Sequence, residues 1–176
     1  MRQWLVGFAA GILILPAAVL IAARLGCIPV RADARPPRWE AAIAHMAVNA
    51  AAARQAPHVD NPIAPTAANL MAGLKIFEDD CAGCHGTPES AKSNEARAML
   101  YPNPPQFALH HPTKPDYQLA WIVQHGVRYS GMFVMEGAFR RDSLGHDPSN
   151  EKIWTVVTFL THLDSLPPSV AAKWQE

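Results

Sequence analysis

The sequence has no surplus of either charge: 15 lysines and arginines face 15 aspartates and glutamates. No general field draws such a chain to nucleic acid or to acidic lipid, and any steering must come from local patches. Cysteine is scarce, and three in 176 residues cannot build a multi-disulfide scaffold. No stretch alternates convincingly as a half-buried strand does, nothing repeats, and no low-complexity tract occurs beyond the alanines. Proline, by contrast, is plentiful: there are 16, many of them between Pro102 and Pro115. That pattern predicts extended loops fitted around something rather than a regular sheet. The length suits one modest domain with an appendage.

The appendage is N-terminal. Between Arg2 and Arg24 no residue is charged, and the run Gln3 to Ala23 matches the roughly 20 residues a helix needs to cross hydrocarbon. The reading is an uncleaved single-pass anchor. A cleaved signal is the alternative, with Ala32-Asp33-Ala34 as the site and a soluble exported product. Cys27 is a lipid-attachment candidate only in a poor box, because Arg24 stands where an aliphatic residue is wanted. Arg24, Arg31, Arg35 and Arg38 follow the segment, which by the positive-inside bias would leave the rest in the cytoplasm.

Beyond a proline-bearing neck, Trp39 to Arg54 reads as an alanine-rich, weakly amphipathic helix with Ile43, Met46, Ala47 and Ala50 on one side. Trp39 beside Arg38 suits either lipid headgroups or ordinary packing. Gln55 to Pro65 reads as a connector. Thr66 is a plausible N-cap for a helix through Leu70, Leu74 and Phe77 to Asp80, with one buried face. A further helix is expected over Asp116 to His125. The last starts at Asp147-Pro148, carries Ile153, Trp154, Val157, Leu160 and Leu163 as a stripe, and stops at Pro167-Pro168.

The first helix of this series delivers the chain to Cys81-Ala82-Gly83-Cys84-His85. A Cys-x-x-Cys-His run is the attachment signature of c-type haem: two thiols three positions apart add to two vinyl groups, and the adjacent imidazole ligates the iron. With this composition about two chains in a thousand would carry such a run by accident. The expected cofactor is therefore one covalently bound haem, held by Cys81 and Cys84 with His85 as axial ligand. Because c-type maturation takes place on the exported side of an energy-transducing membrane, the motif outweighs the arginine bias. The expected location is a bacterial inner membrane with the haem domain on the periplasmic side.

A second axial ligand must come from a loop able to pass round the macrocycle. Gly126-Val127-Arg128-Tyr129-Ser130-Gly131-Met132 is glycine-punctuated and follows a helix, so Met132 is the first candidate and Met135 the alternative. His110, His111, His125 and His146 are further possibilities. Bis-histidine ligation would give a lower potential than His/Met ligation. Pro104 or Pro105 offers a carbonyl to the His85 Nδ1–H, and Tyr101, Phe107, Trp121 and Tyr129 are candidate pocket walls. Arg128 is a candidate partner for a propionate.

Over about residues 60–167 these features resemble the class I cytochrome c family. The matching parts are Gly73…Phe77…Cys81-x-x-Cys84-His85-Gly86, the loop Gly126 to Met132, and the closing helix Ile153-Trp154…Phe159-Leu160. This chain has Phe133 where the family's ligand loop usually continues with proline. The resemblance implies an all-α fold: a class I cytochrome c-like haem domain with long loops, preceded by a transmembrane helix and a short connecting helix. It places Phe77 and Trp154 near a crossing of the domain's first and last helices. The expected division is anchor 1–24, neck and helix 25–60, haem domain 61–168 and C-terminal tail 169–176.

The implied function is outer-sphere electron transfer between redox proteins at a membrane, with no catalysis by this chain, no small-molecule substrate and no nucleic acid. The alternatives are the haem subunit of a periplasmic oxidoreductase and a haem sensor with an open distal site. A zinc or thiol-redox module is a poorer reading, for there is no second Cys-x-x-Cys, and the motif follows a helix rather than a strand.

Overall fold

The computed structural model describes residues 2–31, 37–92, 100–135 and 151–176, with the side chains of residues 2–10 and of Lys92 outside the described set. The chain divides into two compact units, Met1–Ala34 and Arg35–Glu176. Every regular element among the described residues is helical.

The first unit is built on α1, Arg2–Arg24. Its described apolar side chains, Ile12 to Leu15 and Val19 to Ile21, are all exposed. Among the described residues no helix is long and apolar enough to cross a membrane.

The second unit contains α2 (Arg38–Gln55), α3 (Ala67–Asp80), α4 (Ala82–His85), a single 3₁₀ turn at Ser90–Lys92, α5 (Asp116–His125), α6 (Glu151–Thr161) and α7 (Pro168–Trp174). Thr66 caps α3 as the sequence predicts, its hydroxyl accepting from Asn69 N at 3.2 Å. The face Leu70, Leu74 and Phe77 is buried against Val156, Phe159 and Leu160 of α6 and Val170 and Trp174 of α7. The centre of the α3–α6 crossing is Gly73. A Cβ there would lie 2.5 Å from the Thr155 carbonyl oxygen and 2.7 Å from Phe159 Cβ, so only hydrogen allows the backbones this close.

α6 is buried on every side from Ile153 to Leu160, more completely than the single predicted stripe. Val156 and Phe159 belong to the cluster on α3 and α7, while Ile153, Trp154 and Val157 pack with Leu119 and Ala120 of α5. Its two buried threonines are satisfied within the helix: Thr155 Oγ1 donates to Glu151 O at 2.7 Å and Thr158 Oγ1 to Trp154 O at 2.8 Å. The predicted start at Asp147-Pro148 lies outside the described residues, as does His146. The helix ends at Thr161, before the predicted stop, and Pro168 opens α7 instead.

Residues 169–176, expected to be a tail, are therefore mostly helix. Val170 and Trp174 stand four apart and are both buried, and the Trp174 ring meets Phe77 at 5.5 Å and Phe159 at 5.4 Å edge-on. The i, i+4 apolar pair is the signal that marks this turn as part of the core.

α2 also belongs to this unit, but its inward face differs from the expected one. Ala44, Val48, Ala51 and Ala52 are the better-covered residues, whereas Trp39 (65% exposed), Ile43 and Met46 face outward. Glu40 accepts from the Tyr101 hydroxyl at 2.8 Å, and Asn49 Oδ1 from Lys114 Nζ at 2.6 Å. In the connector after α2, Asn61 Nδ2 donates to Asp116 Oδ2 at 2.7 Å and to Thr158 Oγ1 at 2.9 Å, joining the start of α5 to the middle of α6.

Replacing Gly73 by alanine is expected to cost about 1–3 kcal/mol in a denaturant melt, because the obstructing atoms include a backbone oxygen. Gly83→Ala adds the same methyl where nothing lies within 4 Å and should not lower stability.

Candidate functional site

α3 hands over to α4 at Cys81, whose backbone (φ −120°, ψ −34°) leaves the helical region for one residue. The turn is then rebuilt by His85 N donating to Cys81 O at 2.9 Å and Gly86 N to Ala82 O at 2.8 Å. Cys81 and Cys84, three apart on this turn, are on neighbouring positions of one side. Both are free thiols and half-buried. Burial, reinforced by the Asp80 carboxylate, pushes the Cys81 thiol up to about 11. A thiol-redox centre needs a shift in the opposite direction, toward thiolate. Among the described residues no three His, Cys, Asp or Glu side chains cluster as a metal-ion set.

His85 is held from two sides. Its Nδ1 lies 2.9 Å from the Pro105 carbonyl oxygen, and its ring stacks on Phe107 at 4.6 Å and 10°. A carbonyl can only accept, so Nδ1 carries the proton and Nε2 presents its lone pair. Burial keeps the imidazole below its usual pKa against the opposing pull of the Pro105 carbonyl, so the ring is neutral at pH 7.

Gln106, which the sequence did not mark, closes the arrangement. It is 4% exposed, and its Nε2 donates to Cys84 O at 3.1 Å and Pro104 O at 3.2 Å. Gly86 lies directly beneath its Oε1, with φ +71°, and a Cβ at that position would strike the oxygen. Phe107 in turn meets Phe77 at 6.2 Å, which ties the site to the α3–α6–α7 core.

The loop after α5 is internally braced. Val127 N donates to Met132 O at 2.9 Å, Ser130 Oγ donates to Val127 O at 2.7 Å, and Met132 N donates to Ser130 Oγ at 3.1 Å. Gly126, at φ +63°, leaves room for the Met132 carbonyl, which a Cβ would approach to 2.6 Å. The Leu100 side chain lies over Gly131, so the loop touches the segment that continues to Pro105.

The structure thus gathers Cys81, Cys84, His85, Pro104 and Pro105 together with Gln106 and Phe107, and brings the Met132 loop against the same segment. Met132 is half-buried and Met135 is 8% exposed, the latter packed with Leu119, Ile153, Trp154 and Val157. Trp154 shares that cluster. The aromatic that meets Phe77 at the helix crossing is Phe159, at 5.8 Å, and Trp154 lies in the neighbouring core. Tyr129 (90% exposed), Arg128 and Phe133 (75% exposed) point outward, and Tyr101 is bonded to Glu40. Trp121 stacks on His125 at 4.7 Å, whose Nδ1 donates to the Trp121 carbonyl at 2.8 Å. His111 pairs with Asp164, and His110 is exposed.

The two methionines should respond differently to truncation in the same denaturant melt. Met135→Ala is expected to cost about 2–5 kcal/mol, the range for emptying a packed core position. Met132→Ala should cost clearly less. Compared with known proteins, the chain matches no protein-family model, no curated protein and no solved structure.

Proposed function

We propose that this chain is a membrane-anchored, monohaem c-type cytochrome that carries electrons between redox proteins on the periplasmic side of a bacterial inner membrane. The observation that carries the reading is the setting of His85: its Nδ1 lies 2.9 Å from the Pro105 carbonyl oxygen and its ring is stacked on Phe107, one residue from a half-buried free thiol. Metal-ligating histidines are oriented in this manner, by a carbonyl on the other ring nitrogen. The residues fit a c-type haem. Cys81 and Cys84 would hold it covalently, and His85 and Met132 would ligate its iron.

Haem, when bound, would supply an iron that passes between ferrous and ferric states. The chain's own work is to bind, orient and shield. Pro105 and Phe107 hold the His85 ring in one tautomer and one plane. The braced loop Gly126–Met132 offers a thioether without drawing on the packed Met135. Thioether ligation raises the potential relative to a second histidine.

The anchor rests on the uncharged run Gln3–Ala23, which matches the roughly 20 residues a helix needs to cross hydrocarbon. A haem domain on such a tether suits a carrier, or the haem subunit of an oxidoreductase, whose partners are other redox proteins.

The test is expression with the c-type maturation machinery, followed by haem staining of a denaturing gel and absorption spectra of membranes. One covalently bound haem per chain is expected in the membrane fraction, and a chain without covalent haem would overturn the proposal. Met132→Ala should abolish the long-wavelength thioether–ferric band and lower the reduction potential. An unchanged band would move the ligand to Met135 or to a histidine. Ready binding of carbon monoxide by the reduced protein at neutral pH would favour an open-site sensor instead.

A further inference from the structure

Gln106 is a buried polar side chain among prolines and aromatics, and the proposed function assigns it nothing. Its environment is specific. Both groups within reach of Nε2 are carbonyl oxygens, Cys84 O at 3.1 Å and Pro104 O at 3.2 Å, so the amide nitrogen must face them and both of its protons are used. Its Oε1 rests on Gly86, and its backbone carbonyl accepts from Leu109 N at 3.0 Å and His110 N at 2.9 Å. One residue therefore ties the Cys-x-x-Cys-His turn to the segment whose next carbonyl, that of Pro105, takes the His85 proton. Burying an amide costs free energy unless its hydrogen bonds are made, and here they bridge two segments 22 residues apart.

We propose that Gln106 is the positioning residue of the site: by clamping Cys84 O to Pro104 O it sets the distance and direction of the Pro105 carbonyl from His85, and so tunes the electron donation of the axial ligand. This rests on the haem reading and deepens it. A strong Nδ1–H···O=C bond makes the imidazole a better donor and stabilises the ferric state. Loosening it raises the reduction potential. The effect runs through the Pro105 bond, since both side-chain hydrogen bonds of Gln106 go to backbone carbonyls and neither goes to the imidazole.

The variant that separates clamp from filler is Gln106→Met, close in size and unbranched but without a donor. In the haem-loaded full chain the proposal expects a higher reduction potential than wild type and exchange of the His85 Nδ1 proton about fivefold faster, the factor that losing one ordinary hydrogen bond gives. An unchanged potential and unchanged Nδ1–H exchange, with only a lower melting temperature, would mean that Gln106 merely fills space and would overturn the proposal. Should the wild-type chain fail to take up haem, the haem reading falls, and the clamp is read in the haem-free chain by nitrogen-15 NMR of His85. Wild type should then show a single Nδ1-protonated form and Gln106→Met a mixture of tautomers; the same tautomer in both overturns it. If Gln106→Met does not fold, the wild-type side-chain amide decides, because Gln106 Nε2 protons exchanging as fast as those of an exposed glutamine would exclude the clamp.

Discussion

The close crossing of α3 over α6 at Gly73 is the contact on which the rest of the second unit depends. With hydrogen as its side chain, the α3 backbone can rest on the Thr155 carbonyl and on Phe159 Cβ. That approach buries Phe77 between Phe159 and Trp174. α3 ends at Asp80, so the position of Cys81 and of the turn to His85 follows from the packing of two helices. The Phe77–Phe107 contact then carries the same constraint across to the proline segment, whose carbonyl and aromatic ring hold the imidazole.

This arrangement divides labour between apolar and polar forces. Burial of Leu70, Leu74, Phe77, Val156, Phe159 and Trp174 supplies the stability, and area removed from water is indifferent to small shifts. The few buried hydrogen bonds supply the direction. Asn61 locks the connector to α5 and α6, and Gln106 locks the turn to the prolines. A buried amide left unmade costs more than a made one contributes, so such links select one arrangement out of several of similar packing.

Much of this was legible in the sequence. The i, i+4, i+7 spacing in α3, the Thr66 cap and the limits of α5 all appear as predicted, because helix periodicity and capping are written within four residues of one another. The inward face of α2 was not legible. Its small alanines pack inward while Trp39, Ile43 and Met46 stay outside, the reverse of what hydropathy alone suggests. The burial of α7 is hidden in the sequence because a two-proline stop looks like an ending when it is also the first turn of a helix.

At the site, the order of residues sets the chemistry on offer: two thiols and an imidazole at Cys-x-x-Cys-His spacing, and methionines in a glycine-punctuated loop. Helix packing selects the partners: Pro105 rather than Pro104 accepts from His85, Gln106 links the two segments, and Met135 is committed to the core with Trp154 while Met132 is not. The reason is range. A motif of five residues states its own groups, whereas a hydrogen bond between residues 20 apart exists only once helix packing has brought them within 3 Å.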